Sequence, residues 1–167
     1  MTKSGWKRQF YTIYAGQALS ILGSSAVQFA IVWWLTKKFD SGNVLSYAMI
    51  AGFLPGIFLS PFAGVVVDRY NRKTVMMLSD GLVALSSALI GLAFFRMDTP
   101  PMWMVYGALF VRGLGGTFHS PAMQAAIPML VPEDMLMKAG GWGSLIVSGG
   151  TLLGPVLGAF LMTAMPI

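Results

Sequence analysis

The charged and titratable side chains of this chain are few, and their spacing limits what they can do. Asp68, Arg69, Arg72 and Lys73 cluster in the stretch Gly64-Val-Val-Val-Asp68-Arg69-Tyr-Asn-Arg72-Lys73; Asp80 follows, and Arg112 and His119 stand further on. Opposite charges so placed can form ion pairs that break and re-form, and an imidazole can carry a proton near neutral pH. Bond-making chemistry lacks its parts. Asp and Glu total six, most of them in loops, and Ser144 and Ser148 have no His–acid partner to activate them. With no cysteine in the chain there are no disulfides, no thiolate metal sites and no Cys nucleophile, and one histidine cannot build a metal site by itself. No Gly-x-x-x-x-Gly-Lys-Ser/Thr loop cradles a phosphate, which argues against a chain that itself consumes ATP. The pattern points to a transporter rather than an enzyme.

The elements that must position these residues are apolar and long. Of 167 residues 56% are hydrophobic and 10% charged, with mean hydropathy +0.70, whereas a soluble domain carries about 25% charged residues. Apolar segments run over about 10–35, 45–67, 74–95, 102–125 and 139–164, each at or above the roughly 20 residues that a spanning helix needs. The fold class is therefore all-α: a polytopic membrane protein of five transmembrane helices. The first segment follows Lys3, Lys7 and Arg8 but exceeds the about 7–15 apolar residues of a signal peptide, so it stays in the membrane. The formal net charge of +5 would suggest nucleic acid in a soluble chain. Here the basic residues lie in short loops, and no nucleic-acid partner is expected.

Short linkers put alternate loops on opposite sides. With the N-terminus inside, the inner group is Lys3, Lys7, Arg8, Arg69, Arg72, Lys73 and Lys138, and the outer group Lys37, Lys38 and Arg96. The positive-inside rule selects that orientation and leaves Ile167 outside. Trp6 and Tyr11 at the inner end of the first span, Trp33 and Trp34 at its outer end and Trp103 at the outer end of the fourth fit interfacial belts. The charged cluster then reads as a tight cytoplasmic turn between the second and third spans.

Small residues mark two spans. Ala48, Gly52, Gly56, Ser60 and Gly64 recur every four positions along the second, and Gly150, Gly154 and Gly158 along the fifth; such stripes permit close helix contact. Pro55 and Pro61 sit within the second span, where a kink is expected. Leu59-Ser60-Pro61-Phe62-Ala63-Gly64 and Leu153-Gly154-Pro155-Val156-Leu157-Gly158 share a Leu-small-Pro-x-x-Gly pattern, as inverted repeats of spans would produce.

These residues resemble the major facilitator superfamily, and within it the bacterial drug and macrolide efflux branch, over essentially the whole chain. The turn is similar to the signature G-x-x-x-D-R-x-G-R-K through Gly64, Asp68, Arg69, Arg72 and Lys73, with Asn71 in place of the usual Gly. Asn enters the left-handed region more readily than most residues, so the turn is expected to survive the exchange. The fifth span resembles the antiporter motif G-x8-G-x3-G-P-x2-G-G through Gly141, Gly150, Gly154, Pro155 and Gly158, with Ala159 at the last position. Arg112-Gly-Leu-Gly-Gly116 is similar to the R-x-x-x-G pattern of the fourth span. The stretch Phe118–Glu133, with Trp6-Lys-Arg and Ala15-Gly-Gln-Ala, looks most like macrolide exporters.

Arg112 also has a physical case of its own. An Arg near the bilayer centre costs about 2.5–3.5 kcal/mol on insertion scales, against about −0.3 to −0.6 for each Leu, Ile, Phe or Val. Such a residue faces a water-filled cavity or a partner, or else is fixed to backbone carbonyls for packing alone; the resemblance implies a role in proton coupling or cavity polarity. Asp80 either pairs with Arg69, Arg72 or Lys73 in an inner gate or lies close enough to the interface to reach water. Asp68 is a structural turn residue for which the family implies gating. His119 reads as a hydrogen-bonding polar residue before it reads as part of a proton path. Gln17 and Gln28 are cavity residues or contacts between helices. The thirteen methionines suit an adaptable surface for lipophilic ligands and equally suit ordinary filling.

The resemblance implies the N-terminal part of a secondary transporter in the bacterial cytoplasmic membrane, exporting a lipophilic drug such as a macrolide against inward protons, with no cofactor beyond the proton gradient. The family has about twelve spans, so the sixth helix and the C-terminal half are expected from the same transporter or from a second chain. Two other readings stand beside it: a truncated remnant or partner-dependent membrane subunit without transport of its own, and a facilitator importing a nutrient.

Overall fold

The computed structural model describes residues 5–164; Lys3 and Ile167, used above to argue orientation, lie outside the described residues. The apolar runs become helices α1 (Gly5–Phe39), α2 (Gly42–Arg69), α3 (Arg72–Arg96), α4 (Met102–Leu130) and α5 (Leu136–Ala164), with a short 3-10 turn at Glu133–Met135. Each expected span falls inside one helix, and the described residues contain no strand. α2 continues through Pro55 and Pro61, and α5 through Pro155.

Trp6–Phe39, Gly42–Arg69, Arg72–Arg96 and Glu133–Thr163 are long and apolar enough to cross a membrane. α4 has comparable length, 29 residues, but Arg112, His119 and Gln124 dilute its hydropathy. Large apolar side chains remain on the outside, among them Phe53, Ile57, Phe58, Leu78, Leu152, Val156 and Phe160. In water such exposure would be an aggregation hazard. In hydrocarbon it is the expected outer surface.

Helix ends carry the turn chemistry. Asn71 does not take the left-handed conformation expected of it. Its φ and ψ are −65° and 118°, and its side-chain Oδ1 accepts from the Lys73 backbone N–H at 3.0 Å, so it caps α3. An Asn at a helix N-cap satisfies an otherwise orphaned donor, and that gain replaces the freedom a Gly would have supplied. Tyr70 closes α2 by donating its N–H to the Val66 carbonyl at 3.0 Å. The one non-glycine residue of positive φ among those described is Asp40, at 39°, in the α1–α2 link; Asp is among the residues that enter this region most readily.

The chain falls into two compact units. In the first, residues up to Phe29 meet those from Gln124 on. Here Tyr14, Ile21, Ser25 and Phe29 of α1 lie against Ala139, Gly150, Gly154 and Gly158 of α5, in rising order on both helices. α1 and α5 therefore run parallel. In the second unit, residues 30–123, Val44, Gly52 and Gly56 of α2 meet Tyr106, Gly113 and Thr117 of α4 in the same rising order, while Ser79 and Ser86 of α3 meet Gly115 and Ala108. α2 and α4 are parallel and α3 runs against α4, as the short links between them require.

Candidate functional site

The charged turn is the first part of the candidate site. Asp68 and Arg69 end α2 and Arg72 and Lys73 begin α3, with two residues between the helices. Asp68, Arg69 and Lys73 are exposed and Arg72 is half-buried. Gly64, one turn earlier, is exposed, and an added Cβ would meet nothing within 4 Å.

A polar seam joins α3 to α4. Arg112, 8% exposed, donates from its guanidinium to the Ser87 hydroxyl, which itself donates to the Val83 carbonyl at 2.7 Å. Ser86 donates to the Ala108 carbonyl at 3.1 Å. Two turns further along α4, His119 Nε2 lies 3.5 Å from Asp80 Oδ1. The close approach of α3 and α4 needs Gly115, whose added Cβ would come 2.6 Å from Val83 Cγ2 and 3.0 Å from the Ser79 carbonyl. The seam thus sets Arg112 of α4 against Ser87 of α3 and His119 of α4 against Asp80 of α3, two pairs whose members lie far apart in sequence. Arg112 is directed at α3 in this arrangement, and Asp80 meets the imidazole of His119.

Across α4 from that seam lies a cavity of about 510 Å³ between α2 and α4, lined by Gly52, Phe53, Gly56, Ser60, Thr117 and Ser120 among others. The small-residue stripe of α2 forms one wall. At its tightest point an added Cβ on Gly113 would run into the Gly52 carbonyl oxygen, so only glycine fits there. Ser60 and Thr117 already donate to the carbonyls of Gly56 and Gly113; toward a ligand their hydroxyls therefore present acceptor lone pairs.

In the other unit the fifth-span glycines have a packing role. An added Cβ on Gly150 would strike Ile21, one on Gly154 would strike Ser25, and one on Gly158 would come 2.8 Å from the Ala26 carbonyl. Pro155, between two of them, is half-buried, whereas Gly141 is exposed with open space beside it. Tyr14, stacked on Phe10 with centroids 4.0 Å apart, donates to the Ala139 carbonyl at 3.0 Å. Gln17 is buried one turn beyond Tyr14, and Gln28 is exposed.

Comparison with known proteins places this arrangement in a family. The family model of the Major Facilitator Superfamily matches residues 13–166. The chain belongs to that superfamily. Among relatives of this transporter family, Macrolide efflux protein A of Streptococcus pyogenes is 41% identical over 158 residues, covering 95% of this chain and 39% of its own length. The protein of the same name from Enterococcus faecalis is 38% identical over 121 residues, covering 72% of this chain and 37% of its own. A lysophospholipid transporter of Citrobacter koseri is 29% identical over 159 residues, covering 93% of this chain and 37% of its own. The chain thus spans under two fifths of the length of these relatives. No solved structure matches it significantly.

Membership sets the protein among transporters rather than enzymes, and the geometry then sorts its candidate residues. Ser87 was absent from the residues singled out by sequence. A signal for it exists: an Arg in mid-span requires acceptors on a neighbouring helix, and Ser86-Ser87 is a hydroxyl pair at mid-depth of α3. The cavity hydroxyls of Thr117 and Ser120 were likewise missed, because a polar face of α4 declares itself only once α2 is laid beside it.

Proposed function

We propose that the protein is part of a secondary active exporter that moves lipophilic compounds, macrolides among them, outward in exchange for protons. The observation that carries this reading is the 41% identity to a macrolide efflux protein across 95% of the chain. The polar seam and the α2–α4 cavity support it. A weakly polar wall rich in acceptors and flanked by Phe53 suits an amphipathic molecule bearing hydroxyl or ammonium donors, while lipid covers the outer faces.

In this reading the N-terminus is cytoplasmic, the membrane is the bacterial cytoplasmic membrane, and the α2–α3 turn lies at the inner surface. Substrate would bind near the midplane between this helical group and the remaining helices of the transporter, and the groups would rock to open alternately to either side. Asp68, Arg69, Arg72 and Lys73 would hold the inner side closed by contacts that part as the helices move. Arg112 would keep polarity at the substrate path, and the α5 glycines with Pro155 would keep α1 and α5 packed through the cycle. The energy source is the proton gradient.

The test is export from intact cells. Cells producing the transporter that carries this segment should retain less of a fluorescent lipophilic dye than empty cells, lose that difference when the proton gradient is collapsed, and lose it with Arg112→Ala at equal membrane abundance. Dye retention equal to that of empty cells would overturn the exporter reading.

A further inference from the structure

The cavity between α2 and α4 lies at mid-span: Gly56 is the fifteenth of 28 residues in α2 and Thr117 the sixteenth of 29 in α4. Ser60 and Thr117 spend their hydroxyl protons on the Gly56 and Gly113 carbonyls, which leaves oxygen lone pairs on the wall. Pro121, also on the wall, has no N–H to give the Thr117 carbonyl one turn back. Bulk water does not reach into hydrocarbon to replace that donor, so the carbonyl needs one from elsewhere. Ser120 adds a third hydroxyl. Thr117 stands level with Gly56, whose added Cβ would lie 3.6 Å from its Oγ1, and Ser60 is one turn on, about 6 Å further along the parallel helices.

We propose that this cavity binds the uncharged, hydroxyl-bearing part of a lipophilic compound, such as a sugar ring or a polyol, and turns away charged head groups. Two kinds of donor satisfy a wall of acceptors, hydroxyl and ammonium, and the charges around the cavity select the first. No side chain on its wall, among the described residues, carries a charge or an amide. An ammonium would therefore enter without a counter-charge, which is costly away from water. Asp80 does not provide one, because it stands on α3 beside His119. Arg112 acts against a cation as well: its guanidinium reaches Ser87 on the other side of α4, about one helix diameter, or 10 Å, from the cavity, and it keeps its proton throughout. An anion fares no better among oxygen lone pairs and a freed carbonyl. A neutral hydroxyl brings the missing donor and no charge.

Size and shape agree. A space of about 510 Å³ falls within the about 300–1,000 Å³ of small-molecule pockets. The close contact of Gly113 with Gly52 narrows one end. Acceptors spread over about one turn suit a ring that presents several hydroxyls along one edge, and Phe53 offers its apolar C–H face a partner. The inference rests on the exporter reading for its substrate, and it names the part of that substrate this segment holds.

Three probes with one chain separate the charges: octyl glucoside, octyltrimethylammonium and octyl sulfate, titrated below their micelle concentrations into the whole transporter in lipid nanodiscs, with heats taken over empty nanodiscs. Gly116→Leu marks the site, because Gly116 lines the cavity and an added Cβ there meets nothing within 4 Å; Gly107→Leu on the same helix, also with open space but off the wall, is its control. Octyl glucoside should show saturable binding that Gly116→Leu removes and Gly107→Leu leaves unchanged. Thr117→Val should weaken that binding about threefold to tenfold, the worth of one hydrogen bond, and Thr117→Ser should retain it. The other two probes should show no component sensitive to Gly116→Leu. A sensitive component for octyltrimethylammonium equal to that for octyl glucoside, equal uptake of all three probes, or glucoside binding indifferent to both Gly116→Leu and Thr117→Val overturns the assignment. Dye export by the same protein in vesicles under an imposed pH gradient keeps the two ideas apart: no export with glucoside binding intact removes the exporter reading, whereas export without site-specific glucoside binding removes only this one.

Discussion

Along α5, Gly150, Gly154 and Gly158 admit Ile21, Ser25 and Ala26 of α1 so closely that no Cβ has room, whereas α3 and α4 meet through Arg112 on Ser87 and His119 beside Asp80. The first contact gains from dispersion between close backbones and is indifferent to charge. The second depends on polar groups whose partners can be exchanged. An exporter of the kind proposed, whose helices would rock around a substrate, needs both kinds of contact, one that stays closed and one that responds to what is bound. The two contacts differ in what should break them.

The sharpest break is on the glycine face. Gly154→Leu must push α5 off α1, an overpacking cost of about 1–3 kcal/mol or more, and should lower the thermal midpoint of the solubilised protein together with its yield. Gly141→Leu, with open space beside it, should leave both unchanged; equal losses at the two positions would mean that contact with α1 is not what matters. On the polar seam, Ser87→Ala removes one acceptor of the buried Arg112 guanidinium, a loss of about 1.5–3 kcal/mol for a hydrogen bond to a charged group. Its main effect should be on export at equal abundance, with Ser87→Thr restoring most of it. Asp68→Asn should reduce export by the complete transporter more than it reduces membrane insertion, a difference read by dye retention against immunoblot of the membrane fraction. The smallest effect belongs to the cap: Asn71→Ala should cost about 1 kcal/mol and Asn71→Ser or Asn71→Gly at most a few tenths, measured as thermal midpoints, with export unchanged by the latter two.

How far these contacts were legible in the sequence follows the range of the interactions that make them. Helix positions could be read from hydrophobic run length alone, since the bilayer requires about 20 apolar residues whatever the neighbours are. The α5 glycines could be read too, because spacing by four puts them on one face. The similar stripe on α2 translated less directly: Gly52 matters through its carbonyl, which only a glycine on α4 can approach, while Gly64 faces open space. Asn71 was read through the conformation of the Gly it stands in for, and the structure uses its side chain instead. The pairing of Asp80 with His119 was out of reach of local pattern, since it depends on the register between α3 and α4.

The α2–α3 connection consists of Tyr70 and Asn71, each tied back to the helix beside it. Two residues extend at most about 7 Å, and here both are already committed. Such a joint has no slack. Any displacement of the end of α2 is handed to α3 almost undiminished, so the pair acts as a single lever whose short arm is the charged turn and whose long arm carries Asp80 and Ser87. Lengthening the link by a few glycines would leave every helix intact and uncouple the two arms.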